Sequence, residues 1–379
     1  MALNSTSLFA SFDITDGSQD RDISPILAKA LYLDLNFLGN INVDFSNPVH
    51  DVIHYWNEDA LNTDTVTVSG SVASNGTSIT ATSATHTFHI GDLIYDTTKA
   101  STEIMQVSNV STVTISVSRA YNSTTAASIA DAAVLAKLPA EQEGSDIGTD
   151  RTVAPTVRYN RLQIIPGNDI LITGTQLARK MATNELADQL AHQLTNRALE
   201  FKKSLTRTAL YSEISADGSD TVYRTMGGMR YWNATGSGLS DSTSGAWTYA
   251  QLNSLNTSVV NKGKYPDTLL VGTDLVATIA GWDASYRRLR ESDKQVGYMV
   301  NEVLLAQGNT VQVVVDGRVK SGDYFLFNKD QVRLLPMEDR AMFVIAATDF
   351  ADAKKRRLLG EWTLEVRNPE TLGYGYNKS

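Results

Sequence analysis

Few residues in this chain are of a type and spacing that could do chemistry. His86 and His89 are the closest pair of histidines, but on a strand a spacing of three sends them to opposite faces, which suits ordinary strand positions better than shared metal ligation. Asp13, Asp16, Gly17 and Asp20 are acidic enough for a calcium loop, yet they lack the alternating spacing and closing Glu of an EF-hand and read as a solvated turn. Gly236-Ser237-Gly238 is linker sequence. No nucleophile elbow, Walker loop, dinucleotide-type glycine pattern or zinc-protease helix occurs. With five histidines and no cysteine, any general-base or metal site would have to be built from carboxylates. The expectation is therefore a protein that is not an enzyme, with no catalytic residues, no cofactor and no metal.

Charges of mixed sign remain. One set is Glu141, Glu143, Asp146, Asp150, Arg151, Arg158 and Arg161; the other is Arg287, Arg288 and Arg290, inside the run from Asp283 to Lys294. Such sets suit steering and register between neighbouring proteins more than raw affinity, and both are candidate inter-subunit contacts. The second set has the composition of an anion site, but a solvated face or a subunit contact is the plainer reading.

The elements that must position these charges differ sharply along the chain. At 379 residues the chain exceeds what one hydrophobic core serves, so two or three structural units are expected. Residues 1 to 62 read as an N-terminal arm of short apolar clusters broken by Asp, Asn, Gly, Pro25 and Pro48. From 63 to 138 the chain turns rich in Thr, Ser, Val and Ile with period-2 patterning, as in Val113-Thr114-Ile115-Ser116-Val117, and predicts an all-β module of five or six strands, a sandwich or a barrel. A polar stretch from Ala140 to Arg151 then leads into extended sequence from Val157 to Ile165.

The strongest single element is a long amphipathic helix over Asn184 to Tyr211, with Leu186, Leu190, Leu194, Phe201 and Leu205 as its core face. Beyond it the texture becomes mixed α/β. A helix marked by Tyr249, Leu252, Leu255 and Val259 is capped by Thr248 and closed by Gly263. Strands are expected at Thr268 to Val271, Tyr324 to Phe327 and Val332 to Leu335, with a hairpin turning at Gln307-Gly308-Asn309. The last expected strand puts Trp362, Leu364 and Val366 on one side and Thr363, Glu365 and Arg367 on the other, and ends at Asn368-Pro369.

A net charge of -9 argues against coating nucleic acid, which needs clustered Lys and Arg, but it suits a container whose wall does not stick to DNA. No apolar run is long enough to span a bilayer and the first residues lack a secretory signal, so a soluble chain is expected, without membrane contact.

The order of parts, together with His54-Tyr55-Trp56-Asn57-Glu58-Asp59-Ala60-Leu61, Tyr159-Asn160-Arg161-Leu162-Gln163-Ile164, Ile172-Thr173-Gly174-Thr175, Glu185-Leu186-Ala187 and Gly360 to Pro369, resembles the major capsid (major head) proteins of tailed bacteriophages with the Hong Kong 97 phage fold. That resemblance implies an α+β capsid fold with an all-β insertion domain. Its parts would be an N-terminal arm and start of the peripheral domain over 1–62, the insertion over 63–138, an extended loop over 139–180 and the spine helix with peripheral domain over 181–247. An axial domain over 248–335 and a return to the peripheral domain over 336–379 complete it. It further implies a structural subunit that forms homo-hexamers and homo-pentamers of an icosahedral virion shell, assembled in the host cytoplasm, with a portal protein and a cement or decoration protein as partners, enclosing double-stranded DNA without specific binding. A β-rich tail or adhesion protein is the alternative from the module alone, but such proteins usually repeat their β units. An α/β hydrolase or transferase on 248–335 would need a convergent polar pocket that the sequence does not show.

Overall fold

The computed structural model describes residues 36–59, 61, 63–82, 88–99, 103–140, 143, 155–178, 189–215, 222–236, 238–282, 287–291, 298–346 and 352–378. The chain divides into two compact units: Asn57–Arg158 forms one, and the chain before and after it forms the other.

In chain order, α1 (Asn36–Asn40), β1 (Asn42–Val43) and β2 (Ile53–Glu58) precede the strands of the Asn57–Arg158 unit. These are β3 (Thr65–Thr67), β4 (Ser78–Thr80), β5 (Leu93–Asp96), β6 (Ile104–Val110), β7 (Thr114–Ser118) and β8 (Val134–Leu138). The chain continues through β9 (Thr156–Arg161), β10 (Gln163–Thr173), α2 (Gly174–Ala178) and the long helix α3 (Gln189–Tyr211). Next come α4 (Met229–Thr235), β11 (Ser240–Asp241), α5 (Tyr249–Val260), β12 (Thr268–Val271), α6 (Val276–Gly281), β13 (Arg287–Glu291), β14 (Tyr298–Leu304) and β15 (Thr310–Val315). β16 (Tyr324–Phe327), β17 (Val332–Pro336), β18 (Phe343–Ala346), β19 (Ala353–Val366) and β20 (Gly373–Gly375) follow.

The Asn57–Arg158 unit is a six-stranded antiparallel sheet in the order β3-β8-β5-β6-β7-β4. Its two outer strands meet: Val68 bridges Ala81, Ser69 N–H donates to the Thr80 carbonyl at 2.8 Å, and Thr82 N–H donates to the Thr67 carbonyl at 2.9 Å. The sheet is thereby closed into a small barrel, and closure removes the unpaired edges that an open sheet would offer to other chains. The period-2 pattern of the sequence fills the interior with Val66, Ile79, Ile94, Met105, Ile115, Val117 and Leu135, all buried.

The other unit holds two larger sheets. One runs β1-β17-β19-β10, with β18 also paired to β19. The second runs β11-β20-β16-β12-β15-β14-β13. β2 and β9 pair in a two-stranded ribbon. Helix α5 is held at its start by a capping box in which Thr248 Oγ1 accepts from Gln251 N–H and the Gln251 side chain accepts from Thr248 N–H, and Gly263 beyond its end takes a φ of +99°.

Four expectations are corrected by this architecture. Among the described residues, helix α3 is covered only along its C-terminal half, where Phe201, Leu205, Ala209 and Leu210 are buried against β10, β19 and α4, whereas Leu190 and Leu194 are half-exposed; Leu186 lies outside the described residues. The apolar face is continuous in sequence, but the surface that receives it is shorter. Residues 163–173, expected in a loop reaching over a neighbour, instead pair with β19 of their own chain along almost their whole length. Thr363 and Glu365, on the polar side of the last expected strand, are buried too, His54 lying over that face with its ring 2.6 Å from the Glu365 carboxylate. Nor does the pairing end at Asn368-Pro369: β20 inserts between β11 and β16.

Candidate assembly surfaces

The charged residues singled out in the sequence do not converge on one patch. Glu141, Asp146, Asp150 and Arg151 lie outside the described residues, and Glu143 is an exposed turn residue. Arg158 donates from Nε to Glu58 Oε2 at 2.6 Å. Arg161 stacks its guanidinium 5.9 Å from the centre of the Tyr159 ring, and Tyr159 in turn meets Tyr55 at 5.9 Å. Arg287, Arg288 and Arg290 are on β13 at the outer edge of the seven-stranded sheet; their side chains are outside the described part. Among the described residues no group of three or more His, Asp and Glu is placed to hold a metal.

Several buried polar groups are where the fold is pinned. Asn160 is fully buried, and its amide donates to the carbonyls of Gly227 at 3.0 Å and Leu364 at 2.6 Å while its oxygen accepts from Gly227 N–H at 2.8 Å. One side chain thus joins β9, the start of α4 and the end of β19, and every bond it makes is satisfied within the protein. Glu361 receives Arg340 Nε at 2.7 Å and Arg224 at 3.4 Å. Burial works against the charge of Glu365, but hydrogen bonds from His54 at 2.6 Å and Arg367 at 2.5 Å outweigh it and hold the pKa below the usual carboxylate value. Asp323 goes the other way: burial raises its pKa although the hydroxyls of Tyr374 and Tyr211 both donate to it, at 2.8 and 3.1 Å.

The antiparallel register of β18, β19 and β10 builds a three-stranded arm, one face of which is open among the described residues. Leu171 lies opposite Lys355, Asp169 and Ile345 lie opposite Arg357, and Phe343 lies opposite Leu359, so these seven side chains share a side. Leu171 is 68% exposed and Ile345 41% exposed. Arg357 Nε reaches Asp169 at 2.7 Å, Lys355 Nζ lies 3.8 Å from the same carboxylate, and Arg340 sits 4.4 Å over the Phe343 ring. The opposite face packs on α3, where a Cβ at Gly360 would stand 2.5 Å from the Phe201 ring. The sequence did carry a signal for this arm, the four consecutive cations Lys354-Lys355-Arg356-Arg357, but a charge run alone does not reveal the apolar residues brought beside it by pairing.

The family model described as SU10 major capsid protein matches residues 6–377. The chain belongs to that family. It is a structural capsid protein, which assembles with copies of itself into the shell of the virion. A structure from Mycobacterium phage Bobi superimposes with a TM-score of 0.50 at 11% identity, covering 97% of this chain and 98% of that one, and shows the α+β phage capsid fold. Structures described as the cyanophage A-1(L) capsid asymmetric unit (TM-score 0.49, 10% identity, 94% and 96% covered) and as Mycobacterium phage Adephagia (0.48, 12%, 98% and 98%) are also similar. Comparison with curated proteins gave no match.

Proposed function

We propose that this capsid protein forms hexamers and pentamers that close into the icosahedral head of a tailed phage around double-stranded DNA. The match of one capsid family to residues 6–377, both compact units included, is the observation that carries the reading. On this reading Asn57–Arg158 is an insertion carried on the ribbon of β2 and β9, the ribbon takes the part of the extended loop, α3 is the spine, and 248–335 forms the axial domain. Glu141, Glu143, Asp146, Asp150 and Arg151 would then set register between neighbours, as would Arg287, Arg288 and Arg290 around the ring. A portal protein at one vertex and a cement or decoration protein are further partners, and assembly takes place in the host cytoplasm. The net charge of -9 supports a wall that encloses DNA without gripping it.

Electron microscopy of the overexpressed protein tests this. Closed shells with five-fold and six-fold rings are expected; fibres or small globular particles at concentrations typical of capsid assembly would overturn the reading. In a gel-shift titration at physiological salt, free subunits should leave DNA unshifted at submicromolar protein.

A further inference from the structure

We propose that the barrel of one subunit docks on the open face of the β18-β19-β10 arm of a second copy, so that the barrel clasps a neighbour and is not a free ornament of the shell. This rests on the assembly reading above and names the partner of the arm. The first observation is charge. Residues 57–158 carry eleven Asp and Glu against five Lys and Arg, a balance of -6 out of the whole chain's -9. The arm face has the opposite sign, with Lys355 and Arg357 around the single carboxylate of Asp169.

The second observation is an exposed apolar patch on the barrel itself. Leu61 is 95% exposed, Ile90 70% and Leu138 41%. Ile90 and Leu138 lie at one end, toward which Leu61 leads in the chain: Lys137 N–H donates to the Asp64 carbonyl at 2.8 Å, Leu138 pairs with Leu93, and the position of a Cβ on Gly91 lies 4.0 Å from the Ala140 carbonyl. Asp64, exposed and bonded through its carbonyl to Lys137 N–H, flanks that patch. An apolar centre with an acidic rim thus meets an apolar centre with a basic rim, the arrangement that gives both adhesion and register. Docking arm on arm would instead confront Lys355 and Arg357 with their like.

The chain has no cysteine, so introduced thiols report without background. Full-length protein carrying Leu138→Cys and Ile345→Cys, assembled and treated with a short flexible bismaleimide, should give a ladder of covalent multimers on a denaturing gel, while either single variant stays monomeric. Shells of the double variant that yield no ladder overturn the docking and leave the assembly reading standing. A ladder from Ile345→Cys alone overturns it in favour of arm-on-arm contact. Wild-type protein that forms no shells overturns both. Independently, Lys355→Glu with Arg357→Glu should cut shell yield at least tenfold, and adding Asp64→Lys should restore part of it; undiminished shells from the first pair overturn the proposal.

Discussion

The barrel and the larger unit solve the same problem in opposite ways. Each barrel strand finds its partners inside Asn57–Arg158, its sheet closes on itself, and the buried Glu103 charge is settled locally. Glu103, 4% exposed, accepts both Nε and Nη2 of Arg119 at 2.7 Å and the N–H of Ala127 at 2.7 Å, while Arg119 also donates to the carbonyls of Gly76 and Ala127. The larger unit leaves business unfinished among its described residues: a helix covered for half its length and an arm with one open face. Self-sufficiency suits a module that must survive on its own, and incompleteness suits one whose final neighbours are other copies.

The largest effect should come from breaking the local closure. Arg119→Ala strands the Glu103 charge inside the barrel and should cost about 3–5 kcal/mol, lowering the unfolding transition of that unit first, as read by hydrogen exchange across 57–158. Paired replacement by Glu103→Gln with Arg119→Met should recover much of the loss.

Next is a contrast along one helix. Phe201→Ala removes a ring packed against Gly360 and should destabilise dissociated subunits by about 3–5 kcal/mol in denaturant titration. Leu194→Asp, at a half-exposed site, should cost dissociated subunits about 1 kcal/mol or less yet abolish shells. Equal losses at the two positions would mean that the helix is buried along its whole length in the single chain.

Acid should act on both units alike. At Glu103, burial opposes the charge but the bonds from Arg119, Ala127 and Ala120 prevail, and Glu365 follows the same logic with His54 and Arg367; both pKa values lie below their ordinary 4.5. The unfolded chain therefore takes up protons first as pH falls, so this stability is present above about pH 4.5 and drains away through the depressed folded-state values. Thermal melts of dissociated subunits between pH 6 and pH 3 should show two falling transitions, and Glu103→Gln should flatten only that of the barrel.

The smallest effect is expected from removing the barrel. Replacing residues 64–138 by a short Gly/Ser linker should leave the melting of the larger unit within about 1 kcal/mol of the parent, because none of the strands that build its sheets belongs to that stretch.

What could be read in the sequence was local. Thr248 and Gln251 form their capping box within one turn, the hairpin of β14 and β15 turns at Gly308, and the alternation of Val113 to Val117 needs no distant partner to be seen. What was hidden depends on residues far along the chain. β1 pairs parallel with β17, β12 with β15 and β11 with β20, and no sequence period announces such pairings. Glu365 reads as the wet side of a strand because its partner His54 comes from elsewhere. Leu194 and Phe201 look alike by spacing, and only the length of the sheet beneath them tells them apart.

The chain comes into the barrel at Asp64 and leaves it beside the same residue, with Lys137 N–H bonded to the Asp64 carbonyl at 2.8 Å. Once that bond is made, the seventy-odd residues between act on the rest of the polypeptide as a tight turn does, and the growing ln n penalty of a long disordered loop never falls on the strands that flank it. A lineage could therefore lengthen or shorten this stretch while the surrounding fold kept its folding rate.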